Sequence, residues 1–352
     1  MPTATMKALR KMRPQEGAQL ETVPIPTIAP DEVLVRVRAA SICGTDLHIY
    51  HWDPWSASRI HPPMTFGHEF VGVVEKVGAD VTSVKPGELV SAEMHVNCGH
   101  CRPCRMGQPH LCQFVKILGV DADGCFAEFV RIPVRNVWKV DPAIPEHYAA
   151  ILDPLGNAVH TVLAGEIAGR TVAVTGAGPI GLMAIAVARA CGCSTLFATE
   201  INPHRRALAK QMGADEALDP SAGDVVARVL EATGGSGVDV LLEMSGHPTA
   251  IQQGFKMLRP GGRVSLLGIP TKPVTLDLVP DVIFKGATIY GIFGRKMFET
   301  WVQMTELLKA GRLNLEPLFH ERMPLEKFAD AFSLLDKGQA GKILFYPNGS
   351  LG

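Results

Sequence analysis

Apolar and polar positions follow two different rhythms along this chain. In the first part the period is two. Glu32-Val33-Leu34-Val35-Arg36-Val37-Arg38 largely alternates apolar and charged side chains, as a strand with one buried face must. Residues 70–78 form a second apolar run stopped by a turn glycine, and 124–130 a third. Proline and glycine interrupt this region at short intervals, which disfavours long helices in it.

The rhythm changes near Asp153. From Thr171 onward, strands are predicted at 171–175, 195–199, 238–242, 263–268 and 288–291, with helices at 179–190 and 203–212. Alternation of this βαβ kind predicts an α/β fold with a parallel, doubly wound sheet. Helical periods return at 296–310 and 325–337, and a strand at 342–346 closes the pattern.

Bulk properties narrow the function. At 352 residues the chain is too long for one ordinary core, so two domains are expected. Hydrophobic content of 47% and charged content of 20% are those of a globular protein. The formal net charge is -1 and Lys and Arg are scattered singly, so no nucleic-acid partner is expected. No apolar leader and no run of eighteen apolar residues occurs, so no membrane partner is expected either. Eight cysteines, none obviously paired, suit a reducing, cytoplasmic setting.

Four of those cysteines fall within fifteen residues, as Cys98-x2-Cys101-x2-Cys104-x7-Cys112. A thiolate set this tight reads as one closed, tetrahedral, structural zinc site. A nucleic-acid zinc ribbon would separate its two Cys-x2-Cys knuckles by a longer span. Upstream, Cys43, His68 and Glu69 offer a thiolate, an imidazole and a carboxylate. Three protein ligands with one open position define a catalytic zinc. Taken singly, Cys43 fits a core thiol and His68 a loop histidine; their joint occurrence ahead of the cysteine clamp favours the metal.

Gly176-x-Gly178-x-x-Gly181 lies between the first strand of the βαβ region and its helix. Gly176 permits the tight turn, Gly178 admits a pyrophosphate close to the backbone, and Gly181 lets helix pack on strand. Amides at the helix start then face the phosphates, with Ile180 against the cofactor. Glu200 closes the next strand, nineteen residues past Gly181, where a carboxylate accepts the ribose diol and repels a 2′-phosphate. NAD is therefore expected over NADP, with Arg205 and Arg206 close enough to soften the preference. Leu267-Gly268-Ile269 and Gly291-Ile292 end two later strands where a nicotinamide would lie; they fit ordinary strand ends nearly as well.

Gly67-His68-Glu69, the four-cysteine lobe and the Gly176 fingerprint, in this order, resemble the zinc-dependent medium-chain alcohol dehydrogenases over essentially the whole chain. Segments 43–53, 98–104, 110–112 and 153–161 resemble the branch of that family that oxidises the 3-hydroxyl of L-threonine. The resemblance implies a split, GroES-like catalytic domain at 1–157, with a zinc lobe at 93–115. It implies an inserted Rossmann domain at 158–295 and a return of 296–352 to the first domain. It further implies two zinc ions per chain, one held by Cys43, His68 and Glu69 and one by Cys98, Cys101, Cys104 and Cys112. Thr45 and His48 would relay the proton, and Asp153 would assist near the metal. Ile180, Glu200, Arg205, the Leu267–Ile269 turn, Gly291 and Ile292 would contact NAD. L-threonine would be the substrate and a homotetramer the assembly. The chain departs from the branch where Glu200 replaces a common Asp, and where Gly87-Glu88-Leu89-Val90 replaces Gly-Asp-Arg-Val.

Rival readings are a polyol or 2,3-butanediol dehydrogenase of the same family, and a nucleotide-binding protein without catalysis. The second is opposed by the Cys43, His68 and Glu69 set. Tyr50, Trp52 and Trp55 either wall a pocket or pack as a loop.

Overall fold

The computed structural model describes residues 4–349. Its chain folds as two compact units, Met1–Asp153 with Phe319–Gly352, and Pro154–Leu318. The first unit is thus split, but the return begins at Phe319 and not at 296, and the first boundary falls at Asp153. The helix Glu299–Lys309 stays in the second unit, where it buries Trp301, Met304 and Leu308. An amphipathic period reveals that a face is buried, not which core buries it.

In the first unit the strand Glu32–Ser41 organises the main sheet. Val33, Val35 and Val37 are buried, while Arg36 and Arg38 turn outward to Glu75 and Glu146. The strand pairs antiparallel with Glu69–Val77, with Phe129–Pro133 and with the C-terminal strand Lys342–Phe345. The run expected at 124–130 becomes a strand only from Phe129. Before it, Gly124, Cys125 and Phe126 donate their amides to the carbonyls of Thr65, Gly67 and Phe66, which buttresses the turn leading into His68.

The helices of this stretch are short, Gly44–His51 and Pro54–Arg59, in a region where proline and glycine disfavour long ones. The second has proline in its first turn and an Asp53 cap that accepts the Ser56 amide at 2.9 Å. A two-stranded ladder, His95–Val96 with Lys116–Ile117, closes the base of the cysteine lobe.

The second unit carries a six-stranded, wholly parallel sheet. Its order is Glu216–Leu218, Thr195–Thr199, Thr171–Thr175, Val238–Glu243, Leu258–Leu266, Thr288–Gly291. The earliest strand lies in the middle and the order reverses beside it, which opens a crevice at the C-terminal strand ends. Arg263 caps the helix Leu152–Val162 by donating to Val162 O at 2.7 Å. Among the described residues no helix is long and apolar enough to cross a membrane.

Candidate metal and dinucleotide sites

The four lobe cysteines bring their sulfurs within 4.8 Å of one another. Cys101 Sγ lies 3.4 Å from Cys104 Sγ and 3.8 Å from Cys112 Sγ. Backbone amides surround them: Cys101 N–H donates to Cys98 Sγ, and the Cys98 and Phe114 N–H groups donate to Cys112 Sγ, each at 3.3 Å. Such donors favour thiolate over thiol. The Cys104 and Gln113 backbone amides lower Cys101 to about 6, whereas burial pushes Cys104 up to about 11. Four thiolates repel each other without a central cation, so the donor set fits zinc.

A second group joins Cys43, His68 and Glu69, again with donor atoms within 4.8 Å. Cys43 caps the Gly44–His51 helix, and its N–H donates to Asp46 Oδ2 at 2.8 Å, closing a capping box. Gly67, at φ +92, presses against Phe126, where a Cβ would come within 2.4 Å of the ring. That contact leaves the following His68 and Glu69 buried.

The pocket is strongly negative. Burial alone would lower the His68 imidazole, but Cys43 and Asp46 outweigh it and push His68 up to about 10. Burial raises Asp46 to about 6. Glu69 is divided between two tasks. Its Oε2 accepts from Lys342 Nζ at 2.5 Å, while Oε1 is buried without a hydrogen-bond partner. A free carboxylate oxygen beside a thiolate and an imidazole fits a divalent cation of borderline softness.

Sequence reading missed three groups here. Asp46 links the Cys43 amide to His68, with Oδ1 3.7 Å from Nδ1, and its place three residues after the cap was the available signal. Lys342 lies 273 positions from Glu69 and gave none. Glu93 and His95 join Asp153 in a third cluster with donor atoms within 4.8 Å. Glu93 Oε1 accepts the His95 backbone N–H and faces His95 Nδ1, both at 3.0 Å. Asp153 in turn acts electrostatically on His68, so this cluster adjoins the metal-binding group.

Thr45 Oγ1 lies 3.8 Å from Cys43 Sγ. One turn further along the same helix, His48 Nδ1 meets Asp53 Oδ2 at 2.7 Å, with the imidazole 57% exposed. Tyr50, within the Gly44–His51 helix, stacks on Phe332, and Lys11 Nζ sits 5.2 Å from the centre of the Trp52 ring, so these two rings are packed against neighbouring side chains. Trp55 instead meets the His48 ring in a T-shaped contact, with centroids 6.0 Å apart. At the departure near Gly87, Glu88 pairs with Lys139.

In the second unit the expected dinucleotide contacts gather at the C-terminal strand ends. Gly176 adopts φ +86 with Ser245 packed on it, and Gly181 is so close to the Gly176 carbonyl that a Cβ would sit 2.1 Å away. Gly178 caps the helix Pro179–Ala190 without a side-chain hydrogen bond, leaving its first-turn amides open to an anion. Ile180 lies half-buried in that turn. Glu200 is buried, its Oε2 accepting Ala177 N–H and its Oε1 Asn202 N–H at 2.9 Å each. Arg205 is half-buried, whereas Arg206 is engaged with Asp219 at 2.9 Å. Leu267 and Gly268 donate their amides to Glu243 O, and Ile269 is exposed. Gly291 ends the edge strand, and Ile292 N–H donates to Leu266 O.

Comparison with known proteins agrees with this geometry. Residues 29–142 match the alcohol dehydrogenase GroES-like domain, and residues 179–310 match the zinc-binding dehydrogenase model. The chain belongs to the zinc-binding alcohol dehydrogenase family, oxidoreductases that act on a CH–OH group. It is 53% identical to an L-threonine 3-dehydrogenase of Bacillus licheniformis, over 97% of this chain and 99% of the relative. An L-threonine 3-dehydrogenase of Symbiobacterium thermophilum is 52% identical, over 98% of each. The solved 2R,3R-butanediol dehydrogenase of Bacillus subtilis superimposes with a TM-score of 0.89 at 31% identity, covering 97% of this chain and 100% of that one.

Proposed function

We propose that this chain oxidises the 3-hydroxyl of L-threonine with NAD+, giving 2-amino-3-oxobutanoate, NADH and a proton. The observation that carries the reading is full-length identity of 53% to an L-threonine 3-dehydrogenase, against 31% for the butanediol enzyme of the same fold. The third cluster supports it. Glu93 and Asp153 beside the metal-binding group suit the ammonium of an amino acid, which a polyol or a diol lacks.

Cys43 Sγ, a His68 nitrogen and Glu69 Oε1 would hold one zinc, and Cys98, Cys101, Cys104 and Cys112 a second. When bound, the catalytic zinc supplies Lewis acidity that makes a hydroxyl a far stronger acid, and the nicotinamide of NAD+ supplies the hydride acceptor. Asp46 fixes Cys43 and faces His68, so the donor set is oriented before any ligand arrives. Thr45 Oγ1 receives the alcohol proton and passes it along the helix toward His48. With Nδ1–H donated to Asp53, His48 keeps a lone pair on Nε2 to accept that proton. Exposure of the ring then releases it to water.

Glu200 engages the adenosine ribose, and the open amides after Gly178 take the pyrophosphate. The edge strand Thr288–Gly291 exposes Ile289 and Tyr290, with Phe293 beyond it. An unpaired apolar edge supports self-association, here into a homotetramer. Eight free cysteines suit a reducing cytoplasm.

The test is NADH formation at 340 nm with L-threonine, 2,3-butanediol and sorbitol side by side, together with zinc analysis. Threonine is expected to dominate in kcat/KM, with two zincs per chain. A preference for either diol or polyol would overturn the substrate assignment.

A further inference from the structure

One fully buried carboxylate of the second unit has no part in the chemistry above. Glu243 closes the strand Val238–Glu243. Its Oε1 accepts the Ser245 amide at 2.9 Å, the Ser245 hydroxyl at 2.5 Å and the Gly246 amide at 3.1 Å. Thr175 Oγ1 reaches the same oxygen at 3.4 Å, and the Gly246 amide lies 3.2 Å from Oε2. The Glu243 backbone carbonyl accepts the amides of Leu267 and Gly268 at 3.0 and 3.1 Å. One residue therefore ties together the ends of three adjacent strands: Thr171–Thr175, Val238–Glu243 and Leu258–Leu266.

Those ends lead into the segments expected to contact the dinucleotide, and the packing between them leaves no slack. A Cβ on Gly176 would stand 2.7 Å from Ser245 Cβ, and one on Gly246 would stand 2.6 Å from Ile269 O. On Gly268 it would meet the Gly246 amide at 2.2 Å and Glu243 Oε2 at 2.6 Å. The Ser245–Gly246 turn is wedged between the fingerprint loop and the Leu267–Ile269 turn, and the Glu243 carboxylate holds it there. All these partners are N–H or O–H donors; they converge on Oε1, and the Gly246 amide is shared with Oε2. Burial pushes the carboxyl up, and the surrounding donors hold it back toward the ionised form.

We propose that Glu243 is a positioning residue for the dinucleotide: by clamping the Ser245–Gly246 turn it sets the spacing of the Gly176 loop and the Leu267–Ile269 turn, and so governs cofactor affinity. The inference rests on the NAD reading above.

The experiment compares zinc-loaded, full-length wild type with Glu243→Gln, Ser245→Ala and the double variant. NADH affinity is read by titrating nicotinamide fluorescence, and KM for NAD+ is read separately from kcat. Glu243→Gln removes the carboxylate charge and turns an amide NH2 toward the Gly246 N–H at the Oε2 position, and Kd for NADH is expected to rise about tenfold, equivalent to 1.4 kcal/mol. KM for NAD+ should rise in step while kcat at saturating NAD+ changes less. Ser245→Ala should weaken NADH binding about threefold in the wild-type background and add nothing to Glu243→Gln, because both act through one clamp. An unchanged Kd in folded Glu243→Gln overturns the proposal, as does full additivity of the two substitutions. Should Glu243→Gln fail to fold, Ser245→Ala alone decides, and an unchanged Kd there overturns it. Wild type that binds no NADH overturns the cofactor reading itself, and this inference with it.

Discussion

Replacing Lys342 by Met removes one charge of a buried ion pair while nearly preserving side-chain volume. The ammonium lies 2.5 Å from Glu69 Oε2 and 3.0 Å from the Ile42 carbonyl, and the two charged side chains are 3% and 0% exposed. Breaking such a pair from one side costs about 3–5 kcal/mol, because the surviving charge stays buried without a counter-ion. For a unit of this size the melting temperature should fall on the order of 10 °C. The assay is calorimetry on chelator-treated protein, repeated with zinc. Added zinc should recover part of the loss, since a cation at Oε1 answers the carboxylate in the lysine's stead. The double variant Lys342→Met, Glu69→Leu should melt above the single one, because an apolar pair is tolerated where a lone charge is not. A metal-free Lys342→Met protein melting within about 2 °C of wild type, a cost below about 1 kcal/mol, would refute the reasoning.

Three further outcomes follow from other parts of the molecule. Cys101→Ser should lower zinc content by one ion per chain in metal analysis and expose the 95–117 segment to protease, since the lobe has little core of its own. His48→Ala should slow turnover with zinc content intact; metal loss in that variant would instead place His48 among the ligands. His51 bridges Asp336 at 2.8 Å and Glu16 at 3.3 Å, and the Asp336 hydrogen bond raises its pKa above the ordinary value despite burial. A raised folded pKa stabilises below about pH 6.5 and loses that contribution as pH climbs through the folded value. Melting should therefore fall between about pH 6 and pH 9, and His51→Gln should flatten the slope.

What was legible in the sequence was local. The fingerprint at Gly176 to Gly181 and its flanking strand and helix could be read because periodicity and glycine spacing are short-range signals. The helix expected at 179–190 is found as Pro179–Ala190. The cysteine cluster was legible for the same reason. What escaped was set by contacts between distant segments. Lys342 meets Glu69 only because the C-terminal strand pairs with Glu32–Ser41. Glu93 and His95 look like alternate positions on a short strand, and only the fold brings Asp153 to them. The run at 124–130 had the apolar content of a strand, yet its first residues spend their amides on the 65–67 segment. The Phe319 boundary was hidden because a helical period does not name its partner.

The split of the first unit bears on how the chain is made. Residues 154–318 form their unit from one contiguous stretch, so it can fold as soon as it leaves the ribosome. The sheet that carries Glu69 must wait for Lys342–Phe345, because Leu344 and Phe345 supply its pairing to Ser41 and Ala40. Synthesis of the strand Lys342–Phe345 thus delivers the ammonium that settles the metal-binding carboxylate. A polypeptide cut short before Lys342 is left with an unanswered charge in its interior, a flaw that quality-control proteases can detect.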